Sequence, residues 1–171
     1  MLHLPMESPF KVPDVPEYAT MIRAGQTYAE VERRVRQAVD EVPGVSSVNN
    51  HEGSSATIDA VLMARVMRAL KPLGLGFLDS CTVLHSVAWR SARRAGLRWA
   101  RRDIFLDSDH TTAAIERQFA LAVRKAERKG VAIAIGHHHF PATLEVLERK
   151  IPQAEAAGIE FVPVSRVLRE R

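Results

Sequence analysis

Along the chain, apolar residues recur at helical spacing and then bunch into short runs, with a glycine between the two patterns nearly every time. Val31, Val35, Ala38, Val39 and Val42 fall on one face of a helix predicted over residues 29–42, which Pro43-Gly44 stops before a strand at 45–48. Leu62, Val66, Leu70 and Leu73, widened by Met63 and Met67, predict a second helix over 57–71; Gly74 ends it ahead of a strand at 75–78. A short helix over 86–95 ends at Gly96, and 97–106 reads as strand interrupted by Arg101, Arg102 and Asp103. Ile115, Phe119, Val123 and Ala126 predict a helix over 111–129, and Gly130 precedes a wholly apolar strand at 131–135. Leu144, Leu147, Ile151 and Ala154 mark a last helical segment over 142–157, expected to kink or split at Pro152, and Gly158 precedes a strand at 159–162. Residues 5–25 hold four of the nine prolines and read as an irregular wrapping loop.

Helices alternating with short apolar runs mean βα units and a mostly parallel sheet. Strands covered on both faces read as continuous apolar runs, as Val131-Ala132-Ile133-Ala134-Ile135 does. Ligands in such folds bind where strands end. The strand ends here supply Asn49-Asn50-His51-Glu52-Gly53-Ser54, Asp79-Ser80, Asp107-Ser108-Asp109, Gly136-His137-His138-His139 and Pro163-Val164-Ser165. Four of these five put a histidine or a carboxylate at what should be one edge of the sheet.

Length and composition narrow the picture. At 171 residues and 46% apolar, the chain suits one domain spanning 1–171. Its 24 Lys and Arg against 20 Asp and Glu leave +4, spread over several helices without interleaved aromatics, so nucleic-acid binding is not expected. Cys81 stands alone, which rules out an internal disulfide. No apolar run approaches the roughly 18 residues of a transmembrane segment. The opening MLHLPMESPF lacks the basic start and long apolar stretch of a signal peptide. GxxxxGK[ST], GxGxxG and GxSxG are all missing, against a nucleotide site or a serine hydrolase.

Histidines and carboxylates from separate loops suit a divalent metal, most simply zinc. In an extended segment His137 and His139 would share a side and His138 would face away, making the outer two the better ligand pair. The bland alternatives stay open: three successive histidines also suit an exposed loop tip, and a lone His51 suits a structural hydrogen bonder. Asp79 suits a helix cap as well as a site. Asp109 reads as the cap of the helix starting near Thr111, and Asp107 as a base or an orienting group. His3 and His85 have no neighbours in sequence that single them out.

Taken in order, Leu2-His3-Leu4-Pro5-Met6-Glu7, Val48-Asn49-Asn50-His51-Glu52-Gly53-Ser54, Phe77-Leu78-Asp79-Ser80, Arg102-Asp103-Ile104-Phe105-Leu106-Asp107, Ala134-Ile135-Gly136-His137-His138-His139 and Phe161-Val162-Pro163-Val164-Ser165 resemble the divergent polysaccharide deacetylase family over essentially the whole chain. The resemblance implies a deformed (β/α) barrel of mostly parallel strands and metal-assisted removal of acetyl groups from a carbohydrate substrate, in the bacterial periplasm or cell envelope. It aligns His51 with the family's Asn-His-x-Gly-Ser histidine and His137 and His139 with its Gly-His-x-His motif. The expected metal ligands are then His51, His137 and His139, and the expected catalytic residues Asp107, His139 and Asp79.

Members of that family carry a strand ending in paired aspartates ahead of the Leu-His-Leu-Pro-Met-Glu stretch, one for the metal and one as base. The sequence before Leu2 holds no such strand. The expectation is therefore a barrel missing its first strand, weak metal binding and little activity from these residues alone, and self-association through an open sheet edge. A non-catalytic envelope domain that binds glycan or protein in the same cleft is the alternative, and a metal-dependent hydrolase of another amide or ester a third.

Overall fold

The computed structural model describes residues 1–9 and 19–169. They form two compact units, Met1–Arg101 joined by the segment from Leu168, and Arg102–Val167. Each consists of parallel strands with helices between or after them, the α/β architecture expected from the sequence.

In the first unit β1 (Leu2–Met6), β2 (Ser47–Glu52), β3 (Gly76–Asp79) and β4 (Trp99–Arg101) lie side by side in that order, every pair parallel. Helices α1 (Tyr28–Asp40), α2 (Ala60–Leu70) and α3 (Ala88–Ala95) make the crossovers. Their apolar stripes, Val31 and Val35 from α1, Leu62, Val66 and Leu70 from α2, Ala88 and Ala92 from α3, join Leu4, Met6, Val48 and Phe77 in one core. β1 alternates: Leu2, Leu4 and Met6 are buried, His3 is exposed and Pro5 half-buried. It is the outermost strand, and past it only an isolated parallel bridge to Ile22 is found among the described residues, held by Ile22 N–H to Pro5 O (2.9 Å) and Glu7 N–H to Ile22 O (2.8 Å).

β2 departs from the pattern. The sequence places a strand at 45–48 and turn-forming residues after it, whereas the ladder to β1 runs on to pair Pro5 with His51 and Met6 with Glu52. Asn49 and Asn50 favour turns when their amides bond their own backbone. Here Asn49 donates to Ser80 Oγ and Asn50 Oδ1 accepts from Ser80 N, so the bonds to the β3 loop keep the backbone extended even though the Asn50 amide also donates to Glu52 O. α2 starts at Ala60 rather than 57 because the Asp59 carboxylate accepts from Val61 N and Leu62 N, both at 2.9 Å.

In the second unit β5 (Ile104–Phe105) and β6 (Ala134–Ile135) form a parallel pair. α4 (Thr112–Lys129) and α5 (Pro141–Ala156) pack Ile115, Phe119, Val146 and Ala154 with Leu106. The strand-like run at 97–106 is two strands, β4 and β5. The run at 131–135 enters the ladder only at its end, because the Asp103 carboxylate takes the Ile133 N–H at 2.9 Å. Residues 159–162 form no strand: the Ile159 N–H turns back to Ala154 O at 3.0 Å and closes α5. Pro152 does not split α5; the helix runs on to Ala156, with Val146 and Ala154 buried on either side of it. Of the wrapping loop expected at 5–25, Pro5 and Met6 belong to β1 and residues 10–18 lie outside the described residues.

Gly53 closes β2 with φ +86°, and a Cβ there would stand 2.9 Å from Met6 Cβ. Gly53→Ala combines a left-handed backbone with a clash and is expected to cost more than about 2 kcal/mol, a drop in Tm of at least about 4 °C. Gly25→Ala, with φ +78° and nothing within 4 Å of the added carbon, is expected to lose less. Thermal melts of the two variants check this; equal losses would refute the clash.

Candidate functional site

The singled-out residues divide between the two units, and each group stands on its own. In the first, the tail of β2 is held by side chains that reach across to the β3 loop. Asn50 is fully buried; its Oδ1 accepts from Ser80 N (2.8 Å) and its amide donates to Glu52 O (2.8 Å). The Ser80 hydroxyl donates to Asn50 O (2.8 Å), Asn49 donates to Ser80 Oγ (3.0 Å), and Thr82 donates to Glu52 O (2.9 Å). Glu52 itself sits at φ +50°, a strained value for a residue with a side chain. His51, between two residues fixed in this way, turns its Nδ1 to within 3.0 Å of His3 Nε2 on β1, the rings 4.7 Å apart.

Asp79 ends β3 without solvent contact. Its Oδ1 accepts from Cys81 N (2.8 Å), and its Oδ2 from the Ser86 hydroxyl (2.7 Å) and Trp89 N (3.2 Å). Trp89 is in the first turn of α3, where a negative charge meets the unpaired N–H groups and the positive end of the helix dipole. All of Asp79's visible partners belong to its own loop and helix.

In the second unit Asp107 follows β5, its side chain fully shielded from solvent. Its Oδ1 faces His137 Nδ1 at 3.0 Å; its Oδ2 accepts from His137 N (2.5 Å) and the Thr143 hydroxyl (2.9 Å). Burial pushes the carboxyl up, but the N–H and ring of His137 and the Thr143 hydroxyl outweigh it and hold the group below its ordinary 3.8. Gly136 permits the approach: a Cβ there would stand 3.1 Å from Thr143 Cγ2 and 3.3 Å from Asp107 Oδ2. Phe105 and Phe140 meet the His137 ring edge-on, at centroid distances of 5.4 and 5.6 Å. With Nδ1 given to Asp107, Nε2 is the atom left for chemistry. His138 and His139 form an exposed turn, so strict alternation does not apply to them; the His139 ring lies 4.2 Å from Phe140 and 5.2 Å from His137. Asp109 accepts from Thr111 N (3.0 Å) and the Thr111 hydroxyl (2.8 Å), just ahead of α4.

Two of the sequence candidates, Asp107 and His137, are thus in direct contact. His51 meets a residue that sequence alone does not single out: the signal for His3 is the pairing of β1 with β2, which no local pattern reveals. Thr143 escapes notice for the same reason, being the third residue of α5, 36 positions from Asp107. Among the described residues no three His, Cys, Asp or Glu side chains gather as a metal cluster, and no helix is long and apolar enough to cross a membrane.

A family model described as divergent polysaccharide deacetylase matches residues 1–168. The uncharacterized protein YibQ of Escherichia coli K12 is 39% identical over 170 residues, covering 99% of this chain and 52% of that protein. An uncharacterized Haemophilus influenzae protein is 39% identical over 158 residues, covering 90% of this chain and 54% of that one. The chain therefore spans about half the length of these curated relatives. A crystal structure of an uncharacterized Agrobacterium tumefaciens C58 protein superposes with a TM-score of 0.87 at 25% identity, over 96% of this chain and 66% of that one.

The depressed Asp107 value sets the sign of a pH effect. A carboxyl that is more acidic folded than unfolded stabilises the protein fully above its unfolded value and loses that contribution as pH falls through the folded one. Asp107→Asn is expected to be less stable at pH 7 by about 1–3 kcal/mol, and the gap to narrow by pH 3. Urea unfolding at both pH values checks this; a constant gap would show that the charge is not what matters.

Proposed function

The chain belongs to the divergent polysaccharide deacetylase family, and on that premise we propose that it removes acetyl groups from an acetylated polysaccharide or glycan with the help of a divalent metal, most simply zinc. The observation that carries the reading is the buried Asp107 carboxylate on His137 Nδ1. A carboxylate in that position fixes the imidazole tautomer and holds the ring in one orientation, as a positioned proton donor requires. Deacetylation of an N-acetyl sugar breaks the amide C–N bond, adds water at the carbonyl carbon and gives acetate and an amine. His137 is assigned the proton that the leaving amine must receive, delivered from Nε2.

Asp107 is a positioning residue in this scheme. Both of its oxygens are taken up by His137 and Thr143, which suits orientation better than abstraction of a proton from water. Asp79, bonded within its own loop and helix, is assigned a structural part. His51 offers an imidazole nitrogen of the kind a divalent ion takes, and its backbone is pre-set by Asn50, Ser80 and Thr82. When bound, the metal supplies Lewis-acid polarisation of the acetyl carbonyl. Because the chain spans about half of its curated relatives, the activity is proposed for the whole protein.

The test is acetate release from acetylated chito-oligosaccharides and from peptidoglycan, with zinc and with chelator. His137→Asn is expected to lower kcat by roughly 10²–10⁴-fold, assayed at a temperature where melting shows the variant to be folded. Asp107→Asn should fall the same way, and His139→Ala, on an exposed turn, less than tenfold. Full activity in His137→Asn would sink the acid assignment. A protein that retains glycan without releasing acetate would be a binding domain instead.

A further inference from the structure

The basic residues are less evenly placed than their presence on several helices suggests. Of the chain's 24 Lys and Arg, six are arginines within residues 86–102, where no Asp or Glu occurs; the remaining 18 face 20 acids. The chain's positive excess therefore comes from this segment alone. Trp89 and Trp99 stand among these arginines, contrary to the expectation of a basic surface without interleaved aromatics.

In the first unit the segment folds so that the two indoles meet. Trp99 is on β4 and Trp89 in the first turn of α3, their rings 5.2 Å apart and 28° from parallel. Asp79 seats Trp89 there, its Oδ2 accepting the Trp89 N–H at 3.2 Å. Trp99 and Arg101, two positions apart on β4, project to one side of the strand, and Ala100 between them is buried. The guanidinium carbons of Arg90 and Arg101 lie 4.7 and 5.1 Å from the centre of the Trp89 ring, and that of Arg169 lies 5.7 Å from the centre of Trp99. Arg169 is brought in by its backbone: its N–H donates to Trp99 O at 2.8 Å, and its O accepts from Trp99 N at 3.0 Å. The three arginines are exposed and both tryptophans half-buried.

Three like charges on two stacked rings repel one another, and an exposed cation–π contact returns only about 0.5–1 kcal/mol. An acid among them would stabilise the cluster further, yet none of the three has an ion pair among the described residues. Helix stability does not account for Arg90 either. It is the third residue of α3, beside the positive end of the helix dipole, whereas Arg93 and Arg94 in the last turn stand where the dipole favours them. A ring face fixes the plane of a guanidinium and leaves the N–H donors along its edge for a planar acid group. Donors held before binding lose less entropy when an anion arrives.

We propose that Arg90, Arg101 and Arg169, held on the Trp89–Trp99 stack, bind an acidic glycan, a sugar chain that carries carboxylate or phosphate groups. The choice of a glycan rests on the deacetylase reading; the requirement for an anion rests on the arginines. The indoles are taken up by each other and by the guanidiniums, which leaves charge rather than base stacking as the means of recognition. The site lies wholly within the first unit.

Titration of the full chain with hexagalacturonate, a phosphorylated mannose oligomer and neutral chitohexaose tests this, by calorimetry and tryptophan emission at about 0.15 M salt. The unmutated protein is expected to bind one or both acidic oligomers at least about tenfold more tightly than the neutral one, with a change in emission. Equal affinity for acidic and neutral chains would overturn the site without recourse to any variant. Arg90→Gln and Arg101→Gln, shown by melting to be folded, should each weaken the acidic oligomer by at least about fivefold. Arg33→Gln, at an exposed arginine of α1, should change it by less than about twofold. An equal loss there would mean unspecific attraction and overturn the site. Arg101→Lys keeps the charge without the planar fork and should weaken binding at least about threefold; full affinity would overturn the role of the stacked geometry. Single-stranded DNA or anionic phospholipid vesicles bound through the same arginines, with no acidic glycan bound, would overturn the choice of partner. Acidic oligomer bound through these arginines without acetate release from any acetylated glycan would sink the deacetylase reading and leave the site standing. Acetate released equally from acidic and neutral glycans, and undiminished in Arg90→Gln and Arg101→Gln, would do the reverse.

Discussion

Two aspartates at the ends of parallel strands, Asp79 and Asp107, have lost contact with solvent. A carboxylate in that position is costly by several kcal/mol unless the chain returns the hydrogen bonds that water supplied. Each receives three or more donors, and the donors decide the local architecture. Asp79 gathers Cys81, Ser86 and Trp89, which shapes the β3–α3 loop and seats the first turn of α3. Asp107 gathers His137 twice and Thr143, which docks the β6 loop and the start of α5 against β5. The same requirement thus builds a helix cap in one unit and an oriented imidazole in the other.

The two aspartates also show where sequence reading stops. Phe-Leu-Asp-Ser occurs at residues 77–80 and again at 105–108. Both copies follow an apolar run, and both suit a cap or a site. The first finds its partners within 10 positions, in the segment it introduces. The second finds them 30 and 36 positions away, across a whole helix. Local sequence carries the carboxylate but not the address of its partner. The helices are legible because their 3.6-residue period is written in the residues that make them, as in Leu62, Val66 and Leu70.

Strand limits are harder for a related reason. Asn49 and Asn50 have the composition of a turn, and only Ser80 on another strand converts them to ladder residues. Ile159 has the composition of a strand, and the Ala154 carbonyl takes its N–H. His3 is the sharpest case: alternation places it on the outward face of β1, but what it meets there depends on the register with β2, a property of two segments 48 positions apart.

The spacing of the Asp107 partners has a consequence for how the chain matures during synthesis, which proceeds from the N-terminus at about 5–20 residues per second. The Asp79 knot is complete once Trp89 has been added, a loop closure of 10 residues. Asp107 must wait for His137 and Thr143, and until α4 has been made and folded its carboxylate is solvated like any exposed one. Closing that longer loop carries the larger entropic cost. The pair on which the proposed chemistry depends is therefore among the late contacts to form, and so is the closure of the first unit, whose strand β4 waits for Arg169 to pair with Trp99.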